Sequence, residues 1–560
     1  MTSRIPPEPR DEPPRTPVTV PAPDLPHPEE PDYDVVGVGL GPFNLSLAAL
    51  ADGLPGLRAA FFEQEPGFTW HPGLLLEGTT LQVPFLADLV TLIDPTSPWS
   101  FLSYLRAHDR LFRFYLYERF HIPRREYDAY CRWVAAGLQS THFGARVEAV
   151  RWHPDAGLFR LVVTQTAPPA ATAHAGPSDR AGAWSTRVVT ARHLVLGIGT
   201  EPTTPPAFAE VESDRVFHSA HYRQRRASLA GLAHIAVVGS GQSGAEVFAD
   251  LVRNQQPATQ HLTWITRTPA FAPMEYSKLG LEQFTPDYVR YFHGLAQGRK
   301  DTLVPAQWQL YKGIDAETIA EIYDLLYERT IDGGDEAVTL LPGVSVQSAS
   351  LAGEPAEIAL ACRHRDQDRT FALTTDAVVL ATGYAARRPA LLDPVAGLLA
   401  LDDGGRFQID ARYRIATDPG VTGRLYVQNA ELHTHGVGAP DLGLGAWRAA
   451  VILDDLTGGH AYRLPPPSAF TTFGAPPRTD GSHPAPTTTA TAATAATAAT
   501  AATAATAATA APVRQVKPSS VAACPVADGG GRRASDGALD AASDPGLRRR
   551  HPVMLGEADR

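Results

Sequence analysis

Cysteine is nearly absent: Cys131, Cys362 and Cys524 are the only three in 560 residues. That excludes a disulfide framework and a C-x-x-C redox pair, and it fits a reducing compartment. A run of about 18 strongly apolar residues is also missing, so no membrane-spanning helix is expected. Positive charge is not in excess. The formal net charge is −11, which argues against nucleic acid as the main partner. The proline-rich, acidic N-terminus lacks the charged region and apolar core of a secretory signal. His433 and His435 stand two apart without a further ligand, so no metal is expected. These absences leave a cytoplasmic protein that handles small molecules.

With 44% hydrophobic and 19% charged residues, the chain has an ordinary globular composition and is long enough for more than one domain. The organising stretch is Tyr33–Leu50. A β-branched run (Val35, Val36, Val38) reads as a buried strand. Gly37, Gly39 and Gly41 follow, and Asn44 onward reads as a helix. Strand, glycine turn and helix is the context of a dinucleotide fingerprint. Gly37 is expected to permit the turn and Gly39 to let a pyrophosphate approach the backbone. Pro42 stands in the place of the usual third glycine and suits a first helical turn. The helix start then offers free N–H groups to phosphate. The next strand, Leu57–Phe62, ends at Glu63, a carboxylate placed for a ribose diol. It would repel a 2′-phosphate, which favours FAD here.

His234–Leu251 repeats the pattern without substitution: strand, then Gly239, Gly241 and Gly244, then helix. Its second strand, His261–Thr266, is followed by Arg267. A guanidinium there suits a 2′-phosphate, so NADPH is expected in preference to NADH. Two such sites suggest a flavin and a nicotinamide nucleotide that exchange a hydride.

The expected fold is α/β, with two Rossmann-like dinucleotide-binding domains, a helical insertion that covers the substrate, and disordered tails. Residues 1–31 are too rich in Pro, Glu and Arg to pack. The FAD-binding domain takes 32–205 and 376–464. The NADPH-binding domain takes 206–375, with the helical insertion at about 271–330. Val147–Arg151 and Leu158–Val163 read as a hairpin, and Thr166–Ala183 as a mobile insertion. The aromatic run Leu111–Tyr117 reads as core. From 465 to 560 the chain reads as low-complexity tail. It includes the Thr-Ala-Ala repeat of Thr487–Ala511, which has no residue able to build a core.

Four segments together carry a family resemblance: GVGLGPFNLSLA at Gly37, VVGSGQSGAE at Val237, DAVVLATGY at Asp376, and NAELHTHGVGAPDLGLGAWR at Asn429. The chain resembles the flavin-dependent lysine and ornithine N-monooxygenases of siderophore biosynthesis, from about Tyr33 to Leu456. The resemblance implies that NADPH reduces FAD, that the reduced flavin adds dioxygen as a C4a-hydroperoxide, and that a primary amine attacks the distal oxygen. An alkylamine has a pKa near ~10.4, so the site must supply it in neutral form. The resemblance places cofactor contacts on Trp70, His71, Gln82, Gln242, Ser243, Thr382, Gly383, Tyr384, Asn429, His435 and Leu442, beside Asn44 and the glycines. It also implies a homo-oligomer, a tetramer.

At the substrate end, the ornithine enzymes carry Gln-x-x-Phe-x-Lys-Asp, with the lysine on the amino-acid substrate. Here Gln82 to Asp88 puts Ala87 in that place. An Asn-Glu pair of those enzymes aligns with Leu281-Glu282, and a second asparagine with Asp315. These changes resemble the lysine and cadaverine branch. Gln82, Asp315 and Lys278 are the candidates for catalysis and substrate holding. Asp315 suits a distal ammonium and a diamine, Lys278 an α-carboxylate and lysine. Ornithine and putrescine stand behind these. A sulfide or ketone monooxygenase shares the two-fingerprint plan. The linker Val216–Tyr222 does not fit the motif such enzymes carry.

Overall fold

The structure, a computed structural model, describes residues 30–166, 184–333, 337–353 and 357–475. Nearly all of the 1–31 segment, the insertion after Thr166 and the Thr-Ala-Ala repeat lie outside the described residues.

Two sheets organise the molecule. In the first, the strand order is Thr141–His142, Ala59–Phe62, Tyr33–Val38, Trp184–Leu196, Leu158–Thr166 and Ala145–His153, and Leu425–Val427 also pairs with Trp184–Leu196. The three strands around Tyr33–Val38 run parallel. Ala60, Phe61 and Phe62 and the second half of Tyr33–Val38 are apolar and buried, as strands covered on both faces require. Ala145–His153 and Leu158–Thr166 form the expected antiparallel hairpin. The long strand Trp184–Leu196 pairs with the hairpin along its first part and with Tyr33–Val38 along its last.

The second sheet is wholly parallel, in the order Val338–Leu341, His261–Ile265, His234–Val238, Ala377–Leu380, Val216–His218. An antiparallel layer of Val344–Ala352, Glu357–His364 and Arg369–Thr375 packs beside it, sharing a core of Ile265, Val344, Leu360 and Val378. Each sheet therefore carries one glycine motif at the carboxyl end of a central strand, where ligands bind in open α/β sheets. The chain crosses between the sheets twice. The two crossings pair with each other as Tyr384–Ala385 against Glu201–Pro202.

Between the motif strands and the antiparallel layer, Lys278–Leu281, Pro286–His293, Gln297–Ala306, Trp308–Tyr311 and Ala316–Thr330 form the expected helical insertion. Two expectations need correction. Helix Leu111–Tyr117 has no buried residue: Phe112, Tyr115 and Leu116 are 84%, 74% and 75% exposed. Only Phe114 turns inward, edge-on to Phe85 and Phe101. A helix apolar on every side can bury one stripe against a single neighbour, so aromatic density alone does not make core. The other concerns the start of the tail. Ser468 and Ala469 donate backbone N–H groups to Asp287, Phe470 and Thr471 donate to Glu282, and Phe473 packs on Tyr288 and Tyr291. The packed chain thus runs past 465. No helix among the described residues is long and apolar enough to cross a membrane.

Candidate active site

Both glycine motifs open into one cleft of about 2800 Å³. That is well above the ~300–1,000 Å³ of a single small-ligand pocket. The three glycines of the first motif do different work. At Gly37 a Cβ would meet the Phe61 ring at 2.1 Å, so strand packing excludes a side chain. Gly39 has φ +82, and a Cβ there would stand 2.6 Å from the Gly197 carbonyl oxygen. It is the turn glycine. The open face belongs to Gly41, where φ is −73 and a Cβ would meet nothing within 4 Å. Gly41 precedes helix Pro42–Ala51, which has no side-chain cap, so its first N–H groups face the cleft beside Gly41. Pro42 occupies the first helical turn as expected.

Glu63 lines the cleft and is already oriented. Leu40 N–H donates to one carboxylate oxygen at 2.8 Å and Glu65 N–H to the other at 3.0 Å. Each oxygen keeps lone-pair capacity for a ribose hydroxyl. Asn44 does not reach the cleft. Fully buried, it donates to Gly39 O at 2.7 Å and accepts from Gln428 at 2.7 Å, which ties the turn to the returning C-terminal segment. Gly37, Gly244, Lys278 and His435 also lie off the cleft, whereas the other predicted residues line it. His71 adopts φ 48 against Trp70 and Tyr384. Desolvation and the Arg124 guanidinium push its pKa down to about 4. Solvent reaches the ring through the cleft, which tempers the burial effect. Thr382 donates to Thr203 O, and His218 bonds Gly383 O at 3.1 Å, so the Thr382–Tyr384 crossing is pinned. Asn429 holds φ 62, a left-handed value that asparagine adopts more readily than other residues with a side chain.

In the second motif Gly239 is the turn, at φ +118, where a Cβ would stand 2.1 Å from the Ala381 carbonyl oxygen. Gly244 packs against Gly239. Gly241 is again the open position before an uncapped helix, Gln242–Asn254. Arg267 lines the cleft beside Lys312, whose pKa is lowered by desolvation and then by Arg267. Neither cation has a carboxylate within 4 Å among the described residues. Next to them Ser240, Thr266 and Thr268 form a hydroxyl cluster with contacts of 2.6–3.0 Å. Two unpaired cations with hydroxyl donors make an anion site. Arg267→Ala is expected to raise the KM for NADPH about 10- to 100-fold while leaving NADH nearly unchanged. Steady-state kinetics with both nucleotides would refute the assignment if the two KM values move together.

The two nucleotide regions are joined by a buried ion pair. Arg124 donates to both oxygens of Glu246 at 2.7 and 2.6 Å, and Gln242 donates to the same carboxylate at 2.9 Å. This couples the helix Arg124–Gly137 beside the first sheet to the helix that starts at the second motif.

At the other end, the Gln82–Asp88 loop is held by Asp88, which accepts from the N–H groups of Val90, Thr91 and Phe101. Gln82 O accepts from the Tyr276 hydroxyl at 2.9 Å. Asp315 caps helix Ala316–Thr330 by accepting from Thr318 N–H at 3.1 Å, and its own N–H donates to Gln242. Lys278 is exposed at the start of a short helix. His435 is buried behind the cleft, stacked on Tyr413 at 4.2 Å.

Several residues of this site escaped the sequence reading: Asp441, Tyr276, Lys312, Ser240, Thr268, and the pairs Arg124–Glu246 and Arg448–Glu431. Asp441 sits within the quoted GAPDLGLGAWR segment, where a carboxylate before a glycine turn was the available clue. It lines the cleft, half-buried, and desolvation pushes its pKa up to about 6 against the smaller lowering effect of the Gly443 and Leu444 backbone.

The histidines set an acid limit on stability. Burial and the Arg424 and Arg192 charges lower His193 to about 4, and burial holds His435 well below its usual value. Their folded pKa values are depressed, so the unfolded chain binds more protons below about 6.5. Stability is full above that pH and falls toward pH 4, by up to ~1.4 kcal/mol per pH unit for each histidine. The carboxyls that burial raises, Asp441, Asp88 and Glu431, oppose this. Thermal transitions at pH 7.5 and 5 are expected to show a clear loss at the lower pH; equal transitions would refute it.

The sequence profile of the L-lysine 6-monooxygenase/L-ornithine 5-monooxygenase family matches residues 31–386. The chain is 42% identical over 451 residues to the rhizobactin siderophore biosynthesis protein RhbE of Rhizobium meliloti, covering 80% of this chain and 96% of that one. It is 39% identical to the putrescine N-hydroxylase of Shewanella oneidensis over 79% of this chain and 84% of that one. The solved structure of FAD-bound DfoA, the cadaverine monooxygenase of desferrioxamine biosynthesis in Erwinia amylovora, superposes with a TM-score of 0.74 at 37% identity. That match covers 80% of this chain and 99% of DfoA.

Proposed function

Because the chain belongs to the L-lysine 6-monooxygenase/L-ornithine 5-monooxygenase family, we propose that it N-hydroxylates one primary amine of a short α,ω-diamine, cadaverine first, in hydroxamate siderophore biosynthesis. FAD lies at the first motif, in the segments 32–205 and 376–464. NADPH lies at the second, in 206–375. Low cysteine usage and the need for NADPH support a cytoplasmic reaction. Bound FAD, once reduced by NADPH, supplies the activated oxygen that the amine attacks.

The protein's own residues bind, orient and exclude water. The uncapped helices at Gly41 and Gly241 present N–H groups to the two pyrophosphates. Glu63 receives the FAD ribose, and Arg267 with Lys312 holds the 2′-phosphate. The loop from Gln82 to Asp88 and the turn at Asp441 wall the substrate end of the cleft. Leu81, Val83, Leu86, Phe284 and Trp308 line it with apolar surface. Such a wall disfavours the charged amine and so favours the neutral, nucleophilic form.

One observation carries the substrate class. Of the substrate-end residues that line the cleft (Gln82, Ala87, Tyr276, Leu281, Asp315 and Asp441), two are carboxylates and none is a cation. An amino acid needs a cation for its α-carboxylate. Ala87 takes the place of the ornithine enzymes' lysine, and Lys278 points away from the cleft. A diamine instead brings a second ammonium, which suits carboxylates.

The test is hydroxylamine formation by the FAD-loaded full-length protein with NADPH, offered cadaverine, putrescine, lysine and ornithine in parallel. Product from the diamines at far higher kcat/KM than from the amino acids is expected. Product mainly from lysine would overturn the diamine reading. Peroxide without hydroxylamine from every amine would overturn N-hydroxylation itself.

A further inference from the structure

We infer that Asp441 selects the substrate, its carboxylate taking the distal ammonium of the diamine while the other amine is hydroxylated. This rests on the diamine reading above and names the residue behind it.

Asp441 opens the turn Leu442–Leu444 and lines the cleft. A side chain at Gly443 would touch Asp441 Oδ1 at 2.8 Å and the Ala87 methyl at 3.9 Å. The Asp441 turn therefore packs on the very residue that replaces the ornithine enzymes' cation. Where those enzymes are expected to present a positive charge, this chain presents a methyl group and, next to it, a carboxylate. The local charge is reversed.

The carboxylate is also without a cation of its own. Among the described residues no Lys, Arg or His comes within 4 Å of it. The charge that acts on it is Arg448, and Arg448 is committed elsewhere. It pairs with Glu431 at 2.9 Å and donates to Ala439 O at 2.7 Å. Tyr276, across the same end of the cleft, is raised by burial and then by the charges of Asp315 and Asp441, which puts both carboxylates on its side. A half-buried carboxylate that makes no cap bond to the turn it starts and has no paired cation is left free to take one. A substrate ammonium supplies that cation.

Asp315 is the weaker candidate. One of its oxygens caps Thr318 N–H, and its backbone is tied to Gln242 of the nucleotide motif. Its geometry is explained by the helix it starts. The Asp441 turn instead ends against helix Gly445–Leu456, which the Arg448–Glu431 pair locks in place. A rigid support of this kind suits an anchor that must fix substrate length.

The experiment compares wild type with Asp441→Asn, an isosteric change that keeps an acceptor for the turn. Flavin content and the thermal transition confirm that the variant is folded. The KM for hydroxylamine formation from cadaverine, and the Kd of cadaverine by calorimetry, are expected to rise about 10- to 100-fold. Pentan-1-amine has no distal ammonium, so its KM is expected to be poor in both proteins and to move little. Ala87→Lys provides a second route. A cation there would neutralise Asp441 and weaken cadaverine to a similar degree. Unchanged cadaverine values in both variants would overturn the inference. So would an equal loss for cadaverine and pentan-1-amine, since that marks a role at the reacting end. Failure of the diamine reading is separate: wild type itself would then give no hydroxylamine from any diamine.

Discussion

Arg448→Ala is expected to cost about 3–5 kcal/mol of stability and to remove nearly all activity. The side chain is 1% exposed and its partner Glu431 is fully buried. One guanidinium nitrogen approaches Glu431 at 2.9 Å, and another donates to Gly438 O and Ala439 O at 3.3 and 2.7 Å. The group lies between the Phe43 and Tyr413 rings, 4.6 and 5.6 Å from their centroids. Removing it strands a buried carboxylate and the Ala439 carbonyl with no water to replace the donor, while Gly438 O keeps only the Asp441 N–H at 3.2 Å. Burial already raises the Glu431 pKa, so a stranded Glu431 is expected to take up a proton. The same guanidinium holds the loop that carries Asp441 and Leu442, so the site fails with the fold. Thermal denaturation of the FAD-loaded protein is the measurement, and a transition within a degree of wild type would refute it. The double variant Arg448→Met with Glu431→Leu is expected to regain much of the lost stability without regaining activity. An apolar pair can replace a buried ion pair, but it cannot hold the two carbonyls.

Gly41→Leu is expected to do the opposite: leave the fold within about 1 kcal/mol of wild type and abolish flavin retention. At φ −73 and ψ −178, any residue can adopt the Gly41 backbone. A Cβ there would touch no protein atom within 4 Å. Nothing inside the protein therefore requires glycine at this position. Its reason lies in the cleft, where a side chain would occupy the space before the uncapped helix N-terminus that a pyrophosphate needs. Gly39→Leu is the contrast. At φ +82 and 2.6 Å from Gly197 O, it is expected to unfold the motif itself. The measurement is bound flavin per chain together with the thermal transition. If Gly41→Leu retains flavin at wild-type stoichiometry, the first motif is not the FAD site.

The extent to which the site could be read from sequence varies by segment. Both fingerprints were legible because strand, glycine turn and helix are contiguous, and local periodicity reports them directly. Glu63 and Arg267 followed because each ends the strand next to a motif strand. The aromatic helix Leu111–Tyr117 misled because composition does not say which side has a neighbour. Lys278 and Asp315 looked equivalent in sequence. Their charges are separated only by the fold, which turns one to solvent and makes the other a helix cap.

The two glycine motifs, the charge that follows each and the family were legible in the chain alone, since each rests on short contiguous segments. Folding alone settles which glycine opens to the cleft, that Arg124 meets Glu246 across 122 residues, and that the turn after Asp441 comes to lie beside Ala87. Those contacts join segments far apart in sequence, and their energies depend on burial and on which partner arrives. No local pattern encodes either.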